Sequence, residues 1–260
     1  MRRLQLIELH DLPRFPAVWR DLLTDFIGWY ATVFRPYRLV VQVLSEALRS
    51  AGTTRIVDLC AGGGGPLLAL KPSLDRALGA QVTVTLTDKY PNLDAFKAAA
   101  ARSPSSVDFV PEPVDATAVC ETATGFRTLF ASFHHFPPEQ ARAILADAVQ
   151  RRQGIGVFEF TERRLLVWAV PLLLMPAVVW CVTPWIRPLT WCRLLWTYVV
   201  PVVPLVAAFD GLVSVLRSYS VDELRALAHG LDGNGYGWQI GSVRSFGASR
   251  VTYAIGVPAT

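Results

Sequence analysis

The arrangement of apolar and polar residues changes along the chain and predicts three kinds of structure. Apolar residues recur at helical spacing within residues 16–50, which predicts an N-terminal helical region. Within residues 51–164, short runs rich in β-branched residues alternate with helical segments, a pattern typical of a parallel sheet with right-handed crossovers. Residues 237–243 and 250–256 predict a final antiparallel hairpin that closes one edge of this sheet.

These patterns place the elements as follows. Strands are predicted at 55–59, 81–87, 107–110, 127–133 and 155–160, and helices at 66–78, 92–102, 138–151 and 221–227. The fold class is therefore α/β, with a mostly parallel sheet that carries helices.

A hydrophobic segment, residues 165–209, interrupts the α/β pattern. No charged residue occurs in 165–186 or 194–209, whereas Arg187 and Arg193 lie between the two runs. The first run is long enough to span a bilayer, which takes about 20 residues, but two arginines at the far tip conflict with the positive-inside tendency. We therefore expect an inserted helical hairpin that is re-entrant or lies in the membrane interface. The alternatives are a lid packed on the domain, or a contact with a second subunit in a homodimer.

Composition supports contact with something apolar. Of 260 residues, 52% are hydrophobic and 18% are charged, which is less polar than most enzymes of this length. The net charge of +4 comes with no long basic run, so we expect no nucleic-acid partner. The N-terminus lacks the apolar core of a signal peptide, and the four cysteines show no CxxC spacing. We expect a cytoplasmic protein, peripheral or monotopic at the membrane, without a disulfide framework or zinc site.

Four successive glycines lie between a predicted strand and a predicted helix in the stretch IVDLCAGGGGP, residues 56–66. Such a turn lets main-chain N–H groups and a helix N-terminus approach a ligand closely. Leu67 stands where a dinucleotide fingerprint needs its third glycine, and no Walker lysine follows. Ligands of open α/β sheets bind at the carboxyl ends of the strands, where we also find Asp88, Asp115 and the pair His134–His135.

In these motifs the chain resembles class I S-adenosylmethionine-dependent methyltransferases. The first strand of that family ends in an acidic residue followed by G-x-G-x-G, and the matching stretch here is Asp58-Leu-Cys-Ala-Gly62-Gly-Gly64, with Cys60 in place of the first glycine. Asp88 falls where the family binds the ribose hydroxyls, and Asp115 where an acidic motif meets the adenine amine. The resemblance covers about residues 50–164 and 215–257.

The resemblance implies a Rossmann-like, doubly wound, seven-stranded sheet that is mostly parallel and ends in an antiparallel hairpin. It implies S-adenosyl-L-methionine as the cofactor, S-adenosyl-L-homocysteine (SAH) as the product, and no metal. The domain would comprise residues 51–164 and 210–260, with the insert at 165–209 and the N-terminal helices, 1–50, covering the site. The implied cofactor-binding residues are Asp58, Cys60, Ala61, Gly62, Gly63, Gly64, Asp88, Lys89, Asp115, Ala116 and Phe133.

Catalytic and substrate-binding roles are more open. His134 or His135 could be a general base for an acidic acceptor proton, or both could be structural. Charged and polar side chains where the chain leaves the fifth strand and returns from the insert could bind an acceptor head group, or could be structural; they are Glu159, Asp210, Arg217 and Tyr219.

We expect methyl transfer to a small-molecule or lipid-like, apolar acceptor, with a membrane surface as a possible partner. The alternatives are an NAD(P)-dependent oxidoreductase and a non-catalytic membrane-associated protein.

Overall fold

The computed structural model describes residues 2–119, 124–231, 233, 235–245 and 247–259. Cys120 and the hairpin residue Phe246 lie outside the described residues, and Cys60, Cys181 and Cys192 are free thiols. The described residues form one seven-stranded sheet with strand order β3-β2-β1-β4-β5-β7-β6. The α/β class, the mostly parallel sheet and the antiparallel C-terminal hairpin are thereby confirmed.

The first five strands pair in parallel, and the last two reverse direction. The strands are β1 (Arg55–Leu59), β2 (Thr83–Leu86), β3 (Val107–Phe109), β4 (Phe126–Phe130), β5 (Ile155–Glu159), β6 (Tyr236–Arg244) and β7 (Arg250–Pro258). β7 inserts between β5 and β6 and is antiparallel to both. β1 lies at the centre, between β2 and β4, so the chain reverses its direction of winding at the carboxyl end of β1, where α/β sheets bind ligands.

Nine α-helices cover the sheet and build the insert in the described residues. They are α1 (Ala17–Phe34), α2 (Val40–Ser50), α3 (Gly65–Leu78), α4 (Leu93–Arg102), α5 (Pro138–Gln150), α6 (Leu165–Val182), α7 (Trp191–Leu194), α8 (Val202–Arg217) and α9 (Val221–Ala228). A capping box explains the start of α9, because the Ser220 hydroxyl accepts from the Glu223 N–H and Glu223 accepts from the Ser220 N–H.

The sheet buries both faces, as its nearly continuous apolar strands require. One cluster packs α2, α3 and α4 against one face through residues such as Leu44, Leu67 and Phe96. The other packs α5 and α9 against the opposite face through residues such as Ile144 and Leu224. The loops that follow β1, β2 and β4 face residues of the N-terminal segment, His10 and Asp11, across a cavity.

The fourth strand is shorter than the sequence predicted. We expected it to reach residue 133, but it ends at Phe130 because Ala131 takes a left-handed conformation with φ 48°. Residues Phe133–His135 instead form a 3-10 turn. The predicted cofactor residue Phe133 is therefore part of the core beneath the site, where its ring packs beside Tyr219.

The insert is helical and folds back onto α1. The helical stretch Leu166–Trp185 is long and apolar enough to cross a membrane, and the pair Trp191–Val199 and Val202–Arg217 passes the same test but is bent by 71°. One face of the insert packs on Leu22, Leu23 and Phe26 of α1. Arg193, which a transmembrane hairpin would place at its far tip, is 3% exposed, and its guanidinium contacts the Asp25 carboxylate of α1 at 2.5 Å.

Candidate active site

The loop between β1 and α3 is built from backbone that glycine favours. Gly62 and Gly64 have φ values of 56° and 86°, a region that L-residues other than glycine avoid. A Cβ on Gly64 would lie 2.6 Å from Leu68 Cδ1, so that position also has no room for a side chain. Cys60 takes φ 58° without being glycine, which costs about 1–2 kcal/mol.

Asp88 joins the glycine loop to the end of β2. Its Oδ2 accepts from the Gly62 N–H at 2.7 Å, and its Oδ1 accepts from the Tyr90 N–H at 2.7 Å. The Ala61 N–H also donates to the Thr87 carbonyl at 2.9 Å. The two strand ends are therefore held side by side with a carboxylate between them, and a carboxylate retains free lone pairs after two hydrogen bonds.

Asp58 lies behind this loop and not in the crevice. Its side chain is buried, and its Oδ1 accepts from the Thr128 hydroxyl at 2.5 Å. Burial, with a smaller contribution from Asp88, raises the pKa of Asp58 to about 7 despite the Thr128 hydrogen bond. Asp58 thus connects β1 to β4 beneath the glycine turn.

Asp115 and Lys89 form a partly exposed pair at the opposite side of the crevice. The Lys89 Nζ lies 2.8 Å from Asp115 Oδ2, and the Thr117 N–H donates to Asp115 Oδ1 at 2.9 Å. Partial burial raises the pKa of Asp115, but the hydrogen bonds from Lys89 and Thr117 outweigh it and lower the pKa to about 2. Asp115 is therefore ionised at neutral pH.

A cavity of about 340 Å³ lies between these strand ends and the N-terminal segment. Of the predicted site residues, its lining includes Cys60, Ala61, Gly62, Gly63, Asp88, Lys89, Asp115, Ala116 and His135. Its lining does not include Asp58, Gly64, Phe133, His134, Glu159, Asp210, Arg217 or Tyr219. Ser132 also lines the cavity, and its buried hydroxyl has no hydrogen-bond partner among the described residues.

His134 is buried between two carboxylates. Its Nδ1 lies 2.7 Å from Glu159 Oε2, and its Nε2 lies 3.4 Å from Glu8 Oε1. Burial lowers the pKa of His134, but Glu159 and Glu8 outweigh burial and raise it to about 10. The pKa of Glu8 falls to about 2 because the neighbouring histidines outweigh its own burial. A buried imidazolium cannot accept a proton from an acceptor, so the geometry favours a structural role for His134.

Residues 2–12, which we call the strap, are extended except for the 3-10 turn Leu9–Asp11, and His10 and Asp11 line the cavity. The four predicted substrate-binding residues all serve this region. Asp210 Oδ1 accepts from the Leu9 N–H at 2.7 Å, and Arg217 Nη1 contacts Asp11 Oδ2 at 2.8 Å. Arg3 stacks over the Tyr219 ring at 4.0 Å, and Glu159 holds His134 beneath Glu8. These side chains anchor the strap and do not reach the cavity.

The strap and α1 supply cavity residues that the sequence did not reveal. They are His10, Asp11, Arg20, Thr24 and Ile27. The one local signal in the sequence is the adjacent pair His10–Asp11, and adjacent His and Asp residues are too common to indicate a site. Arg20 also donates to the carbonyls of His10 and Leu12, and its guanidinium stacks over Tyr90 at 4.1 Å.

His135 is the predicted catalytic residue that faces the cavity. Its Nδ1 lies 2.8 Å from Asp11 Oδ1, and its ring packs edge-on against His10 at 5.2 Å. Ligand atoms of His10, Asp11 and His135 lie within 4.8 Å of one another and could hold a metal ion. However, Arg217 Nη1 already contacts Asp11 Oδ2 at 2.8 Å, and His10 Nδ1 lies 2.8 Å from Asp210 Oδ2. Protein groups therefore already satisfy Asp11 and His10.

No family model matches the chain, and no curated protein matches it. Solved structures do resemble it. The plantazolicin methyltransferase BpumL, solved in complex with a monoazolic desmethylPZN analog and SAH, gives a TM-score of 0.55 at 10% identity over 93% of this chain and 96% of its own. An O-methyltransferase family protein from Burkholderia thailandensis gives 0.52 at 16% identity over 93% of this chain and 60% of its own. The methyltransferase domain of bacterial CtHen1-CN gives 0.50 at 12% identity over 85% of this chain and 98% of its own.

This chain has the class I methyltransferase fold. At these identities the likeness shows the fold alone, and the chain spans about three fifths of the Burkholderia protein's length. The reaction therefore has to be inferred from the chain's own residues.

The left-handed backbone of Cys60 in this methyltransferase fold gives a first prediction. At a position with negative φ, a protein with Ala is more stable than the same protein with Gly, but a left-handed φ reverses that order. We expect Cys60→Gly to unfold with a free energy about 0.5–1 kcal/mol higher than Cys60→Ala, measured by urea denaturation. A Cys60→Ala protein that is the more stable of the two would contradict the strain at this position.

The buried His134 gives a second prediction, on pH. Because its folded-state pKa of about 10 exceeds the ordinary 6.5, the stability it contributes is complete below pH 6.5 and is lost as the pH rises toward 10. The loss is at most about 1.4 kcal/mol per pH unit. We expect the free energy of unfolding to fall between pH 6.5 and 9 in the unsubstituted protein, and to fall less steeply in His134→Asn. Parallel slopes in the two proteins would show that His134 is not held protonated.

Proposed function

We propose that this protein is an S-adenosylmethionine-dependent methyltransferase that acts on a small, apolar or lipid-like acceptor. The observation that carries the proposal is the crevice between β1 and β2, where Asp88 accepts from the Gly62 N–H beside a glycine turn. This crevice lies at the point of the class I methyltransferase fold where a nucleoside is expected. The solved plantazolicin methyltransferase, which shares the fold, contains SAH.

The residues that line the crevice fit an adenosyl group. Asp88 keeps lone pairs for two ribose hydroxyls, because each of its oxygens accepts one backbone N–H. Asp115 and Ala116, on the opposite wall, would meet the adenine. Gly62 and Gly63 leave room for the methionine part of the donor, and the unpaired Ser132 hydroxyl can bind its polar end. Behind this wall, Asp58, Gly64 and Phe133 would shape the site without touching the donor.

The donor supplies an activated methyl group on a sulfonium, so the protein needs to hold an acceptor lone pair in line with it and accept a proton. Held by the glycine loop and Asp88, the donor would supply its methyl carbon to that lone pair and would leave as SAH, with the electron pair of the broken carbon–sulfur bond on sulfur. His135 would take the acceptor proton on Nε2, because its Nδ1 is held by Asp11 at 2.8 Å. Its position in the cavity favours His135 over His134 for this role.

The walls of the cavity and the insert support an apolar acceptor. Ile27, Phe130 and Phe136 line the cavity away from Asp88. The outer face of the insert is also apolar, with Leu166 96% exposed and Trp191 86% exposed. A surface of this kind in a chain of mild positive charge fits contact with a membrane that delivers the acceptor.

The packing of the insert favours a helical pair that lies in the membrane interface. The buried Arg193–Asp25 contact holds the turn between the two hydrophobic runs against α1, which argues against a turn on the far side of a bilayer. Exposed aromatic side chains such as Trp180, Trp185 and Tyr198 suit the headgroup level. We therefore propose a peripheral or monotopic protein on the cytoplasmic face; a homodimer that covers the same surface is the competing arrangement.

Calorimetry with SAH tests the proposed activity. We expect the unsubstituted protein to bind SAH, and Asp88→Ala to bind it at least about 50-fold more weakly, because the ribose hydroxyls lose a charged acceptor. Asp108→Ala, which removes an exposed carboxylate at β3 outside the cavity lining, is the matched control and should bind SAH normally. Binding of NAD(H) instead would favour an oxidoreductase, and absence of nucleoside binding would favour a non-catalytic protein.

Vesicle sedimentation tests the membrane contact. We expect the protein to sediment with lipid vesicles, and Leu166→Glu/Leu173→Glu to sediment at least about fivefold less, because both leucines lie on the exposed face of α6. Leu93→Glu, at an exposed leucine of α4, is the control. A protein that remains monodisperse without detergent and does not sediment with vesicles would favour an insert that packs on the domain as a lid. A dimer that the double substitution dissociates would favour an insert that forms a subunit interface.

A further inference from the structure

The cavity is small for the two ligands that a methyl transfer requires. Its volume of about 340 Å³ lies near the lower end of the range for one small-molecule site, roughly 300–1,000 Å³. Donor and acceptor must be bound together, so part of the wall has to move when the acceptor enters. The strand ends and α3 belong to the core, whereas the strap has one 3-10 turn, Leu9–Asp11, and is attached largely through side chains.

The two faces of the strap differ in chemistry. Its inward side carries Glu8, His10 and Asp11, which contact the buried ion network and the cavity. Its outward side carries Leu6 and Ile7, which are 43% and 65% exposed. Charged contacts hold the strap in place, so its exposed apolar face contributes nothing to a lid that is closed and faces water.

The outward face of the strap continues the apolar surface of the insert. The strap runs antiparallel to α8, since the Leu4 N–H donates to the Leu216 carbonyl at 3.1 Å and the Leu9 N–H donates to Asp210. Along this stretch α8 exposes Phe209 and Leu212. Arg2, at the start of the strap, and Arg14, two residues beyond its end, are both exposed, which makes the combined surface complementary to anionic lipid.

We infer that residues 2–12 form a lid that opens when its outward apolar face docks on an anionic lipid surface. The inference rests on the proposed function of the cavity. In water the ion network of Glu8, Asp11 and Arg217 keeps the strap closed over the donor site. In the closed strap Leu6 is 43% exposed and Ile7 65% exposed, so a bilayer can bury the covered remainder of both side chains when the strap opens. This additional lipid contact favours the open strap and shifts it away from the cavity.

The dissociation rate of SAH measures the lid without knowledge of the acceptor. We expect SAH to dissociate at least about tenfold faster when the protein is bound to phosphatidylcholine vesicles that contain phosphatidylglycerol than when it is in buffer. Vesicles of phosphatidylcholine alone should accelerate it less than about threefold. Ile7→Glu should still sediment with the vesicles through the insert but lose most of the acceleration, whereas Leu93→Glu should keep it.

The outcomes separate this inference from the proposed function. If SAH does not bind in buffer, the proposed function fails. If SAH binds but vesicles do not change its dissociation rate, only the lid is overturned. The same holds if vesicles accelerate SAH dissociation from Ile7→Glu as much as from the unsubstituted protein. Equal acceleration by both vesicle types would overturn the role of Arg2 and Arg14. A rate that rises with protein concentration and not with lipid would show that a second copy covers the strap, which also overturns the lid.

Discussion

The hydrogen bond from the Gly62 N–H to Asp88 is the interaction on which the site depends. It joins the ends of the neighbouring strands β1 and β2, and it turns the glycine loop toward the crevice. The Tyr90 N–H donates to the other carboxylate oxygen, and a carboxylate keeps free lone pairs after two hydrogen bonds. Asp88 lines the cavity, so the same geometry that stabilises the loop leaves acceptor sites for hydroxyl donors.

A buried ion network extends this arrangement to the N-terminus. Glu159, His134, Glu8 and Arg217 are each at most 2% exposed and lie in contact with one another. Removing one member of such a group leaves a buried charge without a partner, which costs about 3–5 kcal/mol. Charged residues near the strand ends resemble substrate ligands in the sequence. Because they belong to this ion network, they hold the strap and do not reach the cavity.

Most of the sheet, and the meeting of Asp88 with the glycine turn at one crevice, were predictable from the sequence, because they are encoded locally. The position of Asp88 is predicted by the strand that precedes it. The glycine turn is predicted by the strand before it and the helix after it. The strap was not predictable, because the environment of Glu8 and Asp11 is created by Arg217, more than 200 residues away. Phe133 was misplaced in the predicted strand because the left-handed Ala131 has no signature in the sequence.

Helix α1 connects the insert to the cavity through two faces of one element. Positions three or four apart lie on the same side of a helix, and Arg20, Thr24 and Ile27 accordingly line the cavity while Leu22, Leu23 and Phe26 pack on the insert. The buried Asp25–Arg193 contact fixes the insert on this helix. Arg20 of the same helix also donates to the His10 and Leu12 carbonyls. The insert and the strap are therefore both joined to the cavity wall through α1.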